Sequence, residues 1–149
     1  MPLNIVLIEP EIPNNTGNIG RLALASGANL HLVKPLGFEI NDTRLKRAGL
    51  DYWQHLSVTY YDSINDFFKI NKDKTMAFLS SHGSKNHWDI PFEDDMFLIF
   101  GKESVGLPKS IIKAHYNNLF KIPLFCTHVR SLNLANAVSI VVYEGIRQL

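Results

Sequence analysis

The chain alternates short apolar runs with longer segments in which apolar residues recur every three or four positions. "LNIVLI", "LHLV", "SVTYY", "MAFLSS", "MFLIF" and "LFKI" are rich in β-branched and aromatic residues and bounded by turn formers, so they predict strands. Helical spacing predicts helices over Ile19–Ser26, Thr43–Leu50, Ile64–Phe68 and Lys109–Tyr116, and a long closing helix over Leu132–Leu149. Strand and helix in repetition predict an α/β fold, a parallel sheet with helices on both faces. Such sheets bind ligands at the carboxyl ends of their strands. Attention therefore falls on the loops after "LNIVLI", "MAFLSS", "MFLIF" and "LFKI". The closing helix stands apart, because Leu134, Ala137, Val138, Ile140, Val141, Tyr143 and Ile146 spread around most of its circumference instead of forming one stripe. Such a helix needs cover on two sides. With one small sheet on offer, a second copy of the chain is the expected extra cover.

Composition narrows the class without naming a function. A chain of 149 residues suits one domain with one core. The single cysteine, Cys126, excludes an internal disulfide, and no basic segment leads into an apolar one at the start, so a cytoplasmic home is expected. No apolar stretch approaches the ~20 residues needed to cross a bilayer. A net charge of +1 argues against a polybasic binder, yet the 15 Lys and Arg suffice for a local patch. "TRLKR" gathers Arg44, Lys46 and Arg47, which on their own also read as a solvated helix face.

Three stretches carry candidate chemistry. In "NNTGNIGR", Asn14, Asn15 or Thr16 is expected to cap a helix, with Gly17 and Gly20 allowing close backbone approach and Arg21 placed to fork onto an anion. The same letters also suit a tight structural turn with a surface arginine. The spacing is neither GxGxxG nor GxxxxGK[ST], which disfavours an oxidoreductase and excludes a P-loop. In "FLIFGKESVGLP" a strand ends on Gly101, and a polar loop carrying Lys102, Glu103 and Ser104 leads to a helix opened by Pro108. In "IPLFCTHVRSLNLANAVSIVVYEGIRQL" a strand end and loop bring Arg130, Ser131 and Asn133 to a helix start. No four His or Cys have zinc spacing, so no metal is expected, and no GxSxG elbow supports a serine hydrolase.

In order and spacing, these three stretches resemble the three signature motifs of the SPOUT class of RNA methyltransferases. The likeness runs from "NIVLIEPEIPNNTGNIGRL" through "LGFEINDTRLKRAGLDYW" to the last helix. "RAGLDYW", and the lack of an added RNA-binding domain, look most like the smallest branch, the tRNA wobble-nucleotide 2'-O-methyltransferases. The resemblance implies a parallel α/β sheet with a deep C-terminal trefoil knot, S-adenosylmethionine as cofactor, and a homodimer formed through the C-terminal helix. It implies tRNA, not DNA or a membrane, as partner, with the acceptor a cytidine or modified uridine at position 34, as in leucine tRNA. By motif position the cofactor would meet Leu79, Gly101, Glu103, Ile122, Ser131 and Leu132. Catalysis would fall to Arg21, Asn15, Asn133 and Tyr143, and RNA would be gripped by Arg44, Lys46, Arg47 and Arg130. The branch also departs in places from this chain, which has Gly20 and Ala135 where relatives often carry bulkier or polar residues. A different 2'-O-methylation site, or a catalytically silent RNA-binding relative, is the alternative reading.

Overall fold

Residues Asn4–Ile8 form the first strand, β1, and every one of them is buried. A strand buried on both faces reads as a continuous apolar run because helices cover it from both sides. A computed structural model describes residues 2–41, 43 and 52–149. It shows, in chain order, β1, α1 (Pro13–Ser26), β2 (Asn29–Val33), β3 (Val58–Tyr61), α2 (Ile64–Ile70), β4 (Met76–Leu79), β5 (Lys85–Asn86), β6 (Phe97–Phe100), α3 (Lys109–Ala114), β7 (Leu119–Lys121) and α4 (Leu134–Gln148). The described strands form a seven-stranded sheet of order β3-β2-β1-β6-β4-β7-β5, in which every neighbouring pair is parallel. The expected α/β architecture is present. The helix expected over Thr43–Leu50 lies outside the described residues, apart from Thr43 itself.

The alternation of side chains divides the core in two. Ile5, Leu7, Leu30, Leu32, Leu98 and Phe100 face one side and pack with Ile19 and Ala23 of α1 and Val138, Val141 and Val142 of α4. Val6, Ile8, Val33, Phe78 and Ile99 face the other, against Phe67 of α2 and Ile111 of α3. Each fully buried aliphatic side chain contributes about 1.5–3 kcal/mol, so the central strands, rather than the two-residue β5, fix the platform. That short strand is missing from the sequence-based expectation because "KN" carries neither β-branched nor aromatic residues.

At the amino edge of the sheet the core holds a closed polar network. His31 is buried, with Nε2 2.9 Å from Asn4 Oδ1 and Nδ1 2.9 Å from the Tyr61 hydroxyl. Asn4 Nδ2 donates to the Asp95 backbone carbonyl and to its Oδ1, and Asn29 Nδ2 donates to Asn4 Oδ1. Asn4 Oδ1 is therefore an acceptor, so His31 carries its proton on Nε2 and accepts from Tyr61 through Nδ1. Asn71 Nδ2 donates in turn to the Tyr61 oxygen. Burial depresses the His31 pKa to about 4, and only partly does the nearby Asp95 charge oppose this.

Candidate active site

Register brings three of the singled-out loops to one level. Leu79, the last residue of β4, pairs with Phe100 of β6 on one side and with Phe120 of β7 on the other. Gly101 follows Phe100 directly and Ile122 lies two residues past Phe120, so exits from three adjacent strands gather at the carboxyl edge. Sheet neighbours lie about 4.8 Å apart, which makes the row a ledge about 10 Å wide. β1 leaves the sheet beside β6, where the order of connection reverses, the usual place for a ligand crevice.

The loop after β6 folds back on itself. The Gly106 amide donates to the Lys102 carbonyl at 2.9 Å, and Gly106 has φ +72°. A Cβ on Gly101 would sit 2.1 Å from the Gly106 carbonyl carbon, so only glycine lets the loop close over the strand end.

This loop is clasped to the exit of β1 by carboxylates on both sides. Lys102 Nζ lies 3.0 Å from Glu9 Oε1, and the Ser104 amide donates to Glu11 Oε1 at 2.9 Å. Ser104 thereby holds the Glu11 carboxyl below its ordinary pKa, first through its amide and then through its hydroxyl. The Glu103 carboxylate accepts from the amides of Glu11 at 2.8 Å and Ile12 at 2.9 Å, and from Asn15 Nδ2 at 3.2 Å. Asn15 Oδ1 accepts from Asn133 Nδ2 at 3.0 Å. Asn133 Oδ1 caps α4, accepting from the amides of Ala135 and Asn136. All three candidate segments are thus joined side chain to side chain, Glu103 to Asn15 to Asn133.

Several expectations change here. α1 starts at Pro13, six residues before the expected Ile19, and its N-cap is Ile12, without any side-chain cap. Asn14, Asn15 and Thr16 are inside the helix, so none of them caps it. From another loop, Glu103 accepts from the amides of the N-cap residue Ile12 and of Glu11 before it, and an anion there suits the helix dipole. Its carboxylate binds the start of α1 in this structure. Gly17, ahead of the expected helix, is helical, as Gly20 is, and a Cβ on Gly20 would lie 2.8 Å from the Trp53 ring. Gly20 makes room for that indole.

Other expected residues are spread more widely. Arg21 is exposed on α1, its guanidinium 4.9 Å from the centre of the Tyr52 ring. Tyr143 is exposed on α4, ten residues or about 15 Å along the helix from Asn133, so one protomer does not bring the two together. Arg130 and Ser131 are exposed and Leu132 and Ile122 half-buried, on the loop between β7 and α4. Arg44, Lys46 and Arg47 lie outside the described residues. Sequence reasoning missed Glu9 and Glu11, whose partners lie about ninety residues away, and no local signal marks such a pairing. Two cavities lie apart from this edge, one of about 510 Å³ flanked by Met76, Met96, His115 and Phe120, and one of about 210 Å³ beside Val142 and Leu149. Among the described residues no three His, Cys, Asp or Glu side chains converge as metal ligands, and no helix is long and apolar enough to cross a membrane.

A parallel sheet whose knitted carboxyl-edge loops carry these motifs is the scaffold of one enzyme class, and residues 2–143 match its family model: the chain belongs to the SpoU rRNA Methylase family. Among its relatives is the tRNA (cytidine(34)-2'-O)-methyltransferase of Escherichia coli (strain K12), 45% identical over 99% of this chain and 94% of that protein. A solved structure presented as insight into the 2-OH methylation of C/U34 on tRNA superposes with a TM-score of 0.92, at 42% identity, covering 98% of this chain and 95% of that one. The structure of an AdoMet-bound rRNA methyltransferase from Sinorhizobium meliloti gives a TM-score of 0.88 at 25% identity, covering 99% of this chain and 57% of that one.

Proposed function

We propose that this chain transfers a methyl group from S-adenosylmethionine to the ribose 2'-hydroxyl of the wobble nucleotide of tRNA. The observation that carries this is the near full-length likeness, at 45% identity, to an enzyme named for that reaction. The family also implies the C-terminal trefoil knot. The ledge suits the donor chemically. Leu79, Ile122 and Leu132 offer apolar cover for an adenine, and backbone amides and carbonyls at three strand ends offer hydrogen bonds to an adenosyl ribose.

When bound, the sulfonium cofactor supplies a methyl group already activated for displacement. What remains for the protein is placement of the ribose oxygen and removal of its proton. Placement is worth about 7–11 kcal/mol, whereas a positioned base typically gives 10²–10⁴-fold, about 3–5 kcal/mol. Placement dominates, which fits a site clasped by Glu9–Lys102, Glu11–Ser104 and Glu103–Asn15 contacts. A guanidinium donates hydrogen bonds and accepts none, so Arg21 is assigned to a phosphate or to the charge developing on the attacking oxygen, with the proton passing to another acceptor. Asn15 and Asn133 hold the helix starts that frame the acceptor. Arg130 contacts the RNA backbone.

Arg21 and Tyr143 lie away from the Asn15–Asn133 pair, and Ile140, Tyr143 and Ile146 are exposed at every third position of α4, forming an apolar face about 120° wide. We infer that a second copy packs on this stripe and that its residues complete the site.

Nucleoside mass spectrometry of tRNA from cells with and without the gene, read at the wobble ribose, tests the reaction. Unchanged 2'-O-methylation there refutes it. Arg21→Ala is expected to lose turnover while retaining S-adenosylhomocysteine binding, and comparable turnover in the variant removes Arg21 from the mechanism.

A further inference from the structure

One aromatic ring has no role in the fold. Phe125, on the loop between β7 and α4, is 94% exposed, and Leu124 and Val129 beside it are exposed as well. Burying a phenyl ring is worth about 1.5–3 kcal/mol, and this protomer forgoes it at a position between Ile122 and Ser131, both assigned above to the cofactor. The charge of the segment is one-sided. Residues 121–133 contain Lys121, His128 and Arg130 and no Asp or Glu. The His128 amide donates to Cys126 Sγ at 3.4 Å, closing a turn immediately after the ring.

From this combination we propose that Phe125 is a stacking platform for a base of the substrate RNA beside the methylated nucleotide, an assignment that rests on the RNA 2'-O-methyl-transfer reading above. An aromatic face accepts any base without hydrogen-bond readout, and an arginine on the same loop can take the backbone phosphate. A loop with Arg130 and no carboxylate, following Lys121 at the end of β7, complements a polyanion. The apolar residues exposed on α4, Ile140, Tyr143 and Ile146, are the better candidates for contact with a second copy, whereas this loop carries Arg130, follows Lys121 of β7 and has no carboxylate. Stacking also answers a chemical need: the methyl acceptor is a sugar atom, so a neighbouring base must be held for the ribose to be aimed.

Loss of one stacked base costs about 5- to 150-fold in affinity. The test uses the full chain, saturating S-adenosylmethionine for turnover and S-adenosylhomocysteine for binding, and an anticodon stem-loop RNA carrying 2-aminopurine next to the wobble nucleotide. Phe125→Ala is expected to raise the KM for RNA by that range with little change in kcat, to keep cofactor affinity, and to lose the fluorescence quenching seen with the wild type. Phe125→Trp is expected to restore both KM and quenching, and Phe125→Leu neither. A Phe125→Ala KM within twofold of wild type, or rescue by leucine as good as by tryptophan, overturns the inference. So does a Phe125→Ala protein whose sedimentation shows a lower oligomeric mass, which assigns the ring to a subunit contact. A wild-type enzyme with no turnover on the wobble ribose refutes the proposed function, and this inference with it, whereas normal wild-type turnover with an indifferent Phe125 refutes this inference alone.

Discussion

Replacing Glu103 with alanine removes three hydrogen bonds at once, to the Glu11 and Ile12 amides and to Asn15 Nδ2. The Ile12 bond is exposed and the other two are half-buried, so each is worth nearer the lower end of the range for charged acceptors, about 1 kcal/mol after solvent screening. The expected total is about 2–3 kcal/mol, or a fall in Tm of about 5–10 °C for a chain of this size. Glu103→Gln is expected to recover little, because its amide keeps one acceptor and turns a second donor toward a backbone N–H. Urea denaturation followed by circular dichroism reads the stability, and calorimetry with S-adenosylhomocysteine reads the donor. The argument requires both variants to lose stability together while donor affinity falls only slightly. A Glu103→Ala protein within about 0.5 kcal/mol of wild type, or a Glu103→Gln protein of normal stability that no longer binds the donor, would show that the carboxylate serves the cofactor and not α1.

The buried imidazole gives a pH signature. His31 has a folded pKa of about 4 against an ordinary 6.5, so the unfolded chain binds the extra proton and stability falls as pH drops from about 6.5 to about 4. The loss is about 3 kcal/mol, visible as a declining urea midpoint, and a His31→Gln variant that shows the same decline locates it elsewhere. Gly101→Ala puts a methyl 2.1 Å from the Gly106 carbonyl carbon. It is expected to cost about 1–3 kcal/mol and to weaken S-adenosylhomocysteine binding at least tenfold, and near-normal binding would show that the loop can shift without disturbing the ledge. Ile146→Glu charges the exposed stripe on α4, so analytical ultracentrifugation should show a shift from dimer to monomer, and an unchanged mass would place the subunit contact on another surface.

The sheet was legible because its strands are buried on both faces, and runs such as "NIVLI" and "FLIF" have no other economical home. Strand ends located the edge where the motifs meet. Local pattern misled at α1, whose two glycines and three asparagines read as a turn. Pro13 at the first helical position was the signal for the earlier start, since its fixed φ suits a helix beginning there. The carboxylate that binds the chain entering α1, Glu103, lies about ninety residues on, and Gly20 answers to Trp53, about thirty residues on. Neither tie has a period or a spacing that a linear reading could detect. Asn133 was found at the head of the last helix because capping is local, whereas its bond to Asn15 joins opposite ends of the chain.

The level exits of β4, β6 and β7 have a practical consequence for engineering. In the proposed donor site, exchanging Leu79, Ile122 or Leu132 would alter the apolar cover of the adenine but leave the hydrogen bonds from peptide groups in place. Retuning that site toward bulkier sulfonium analogues would call for altered loop lengths, so libraries built on insertions and deletions should outperform saturation of individual codons.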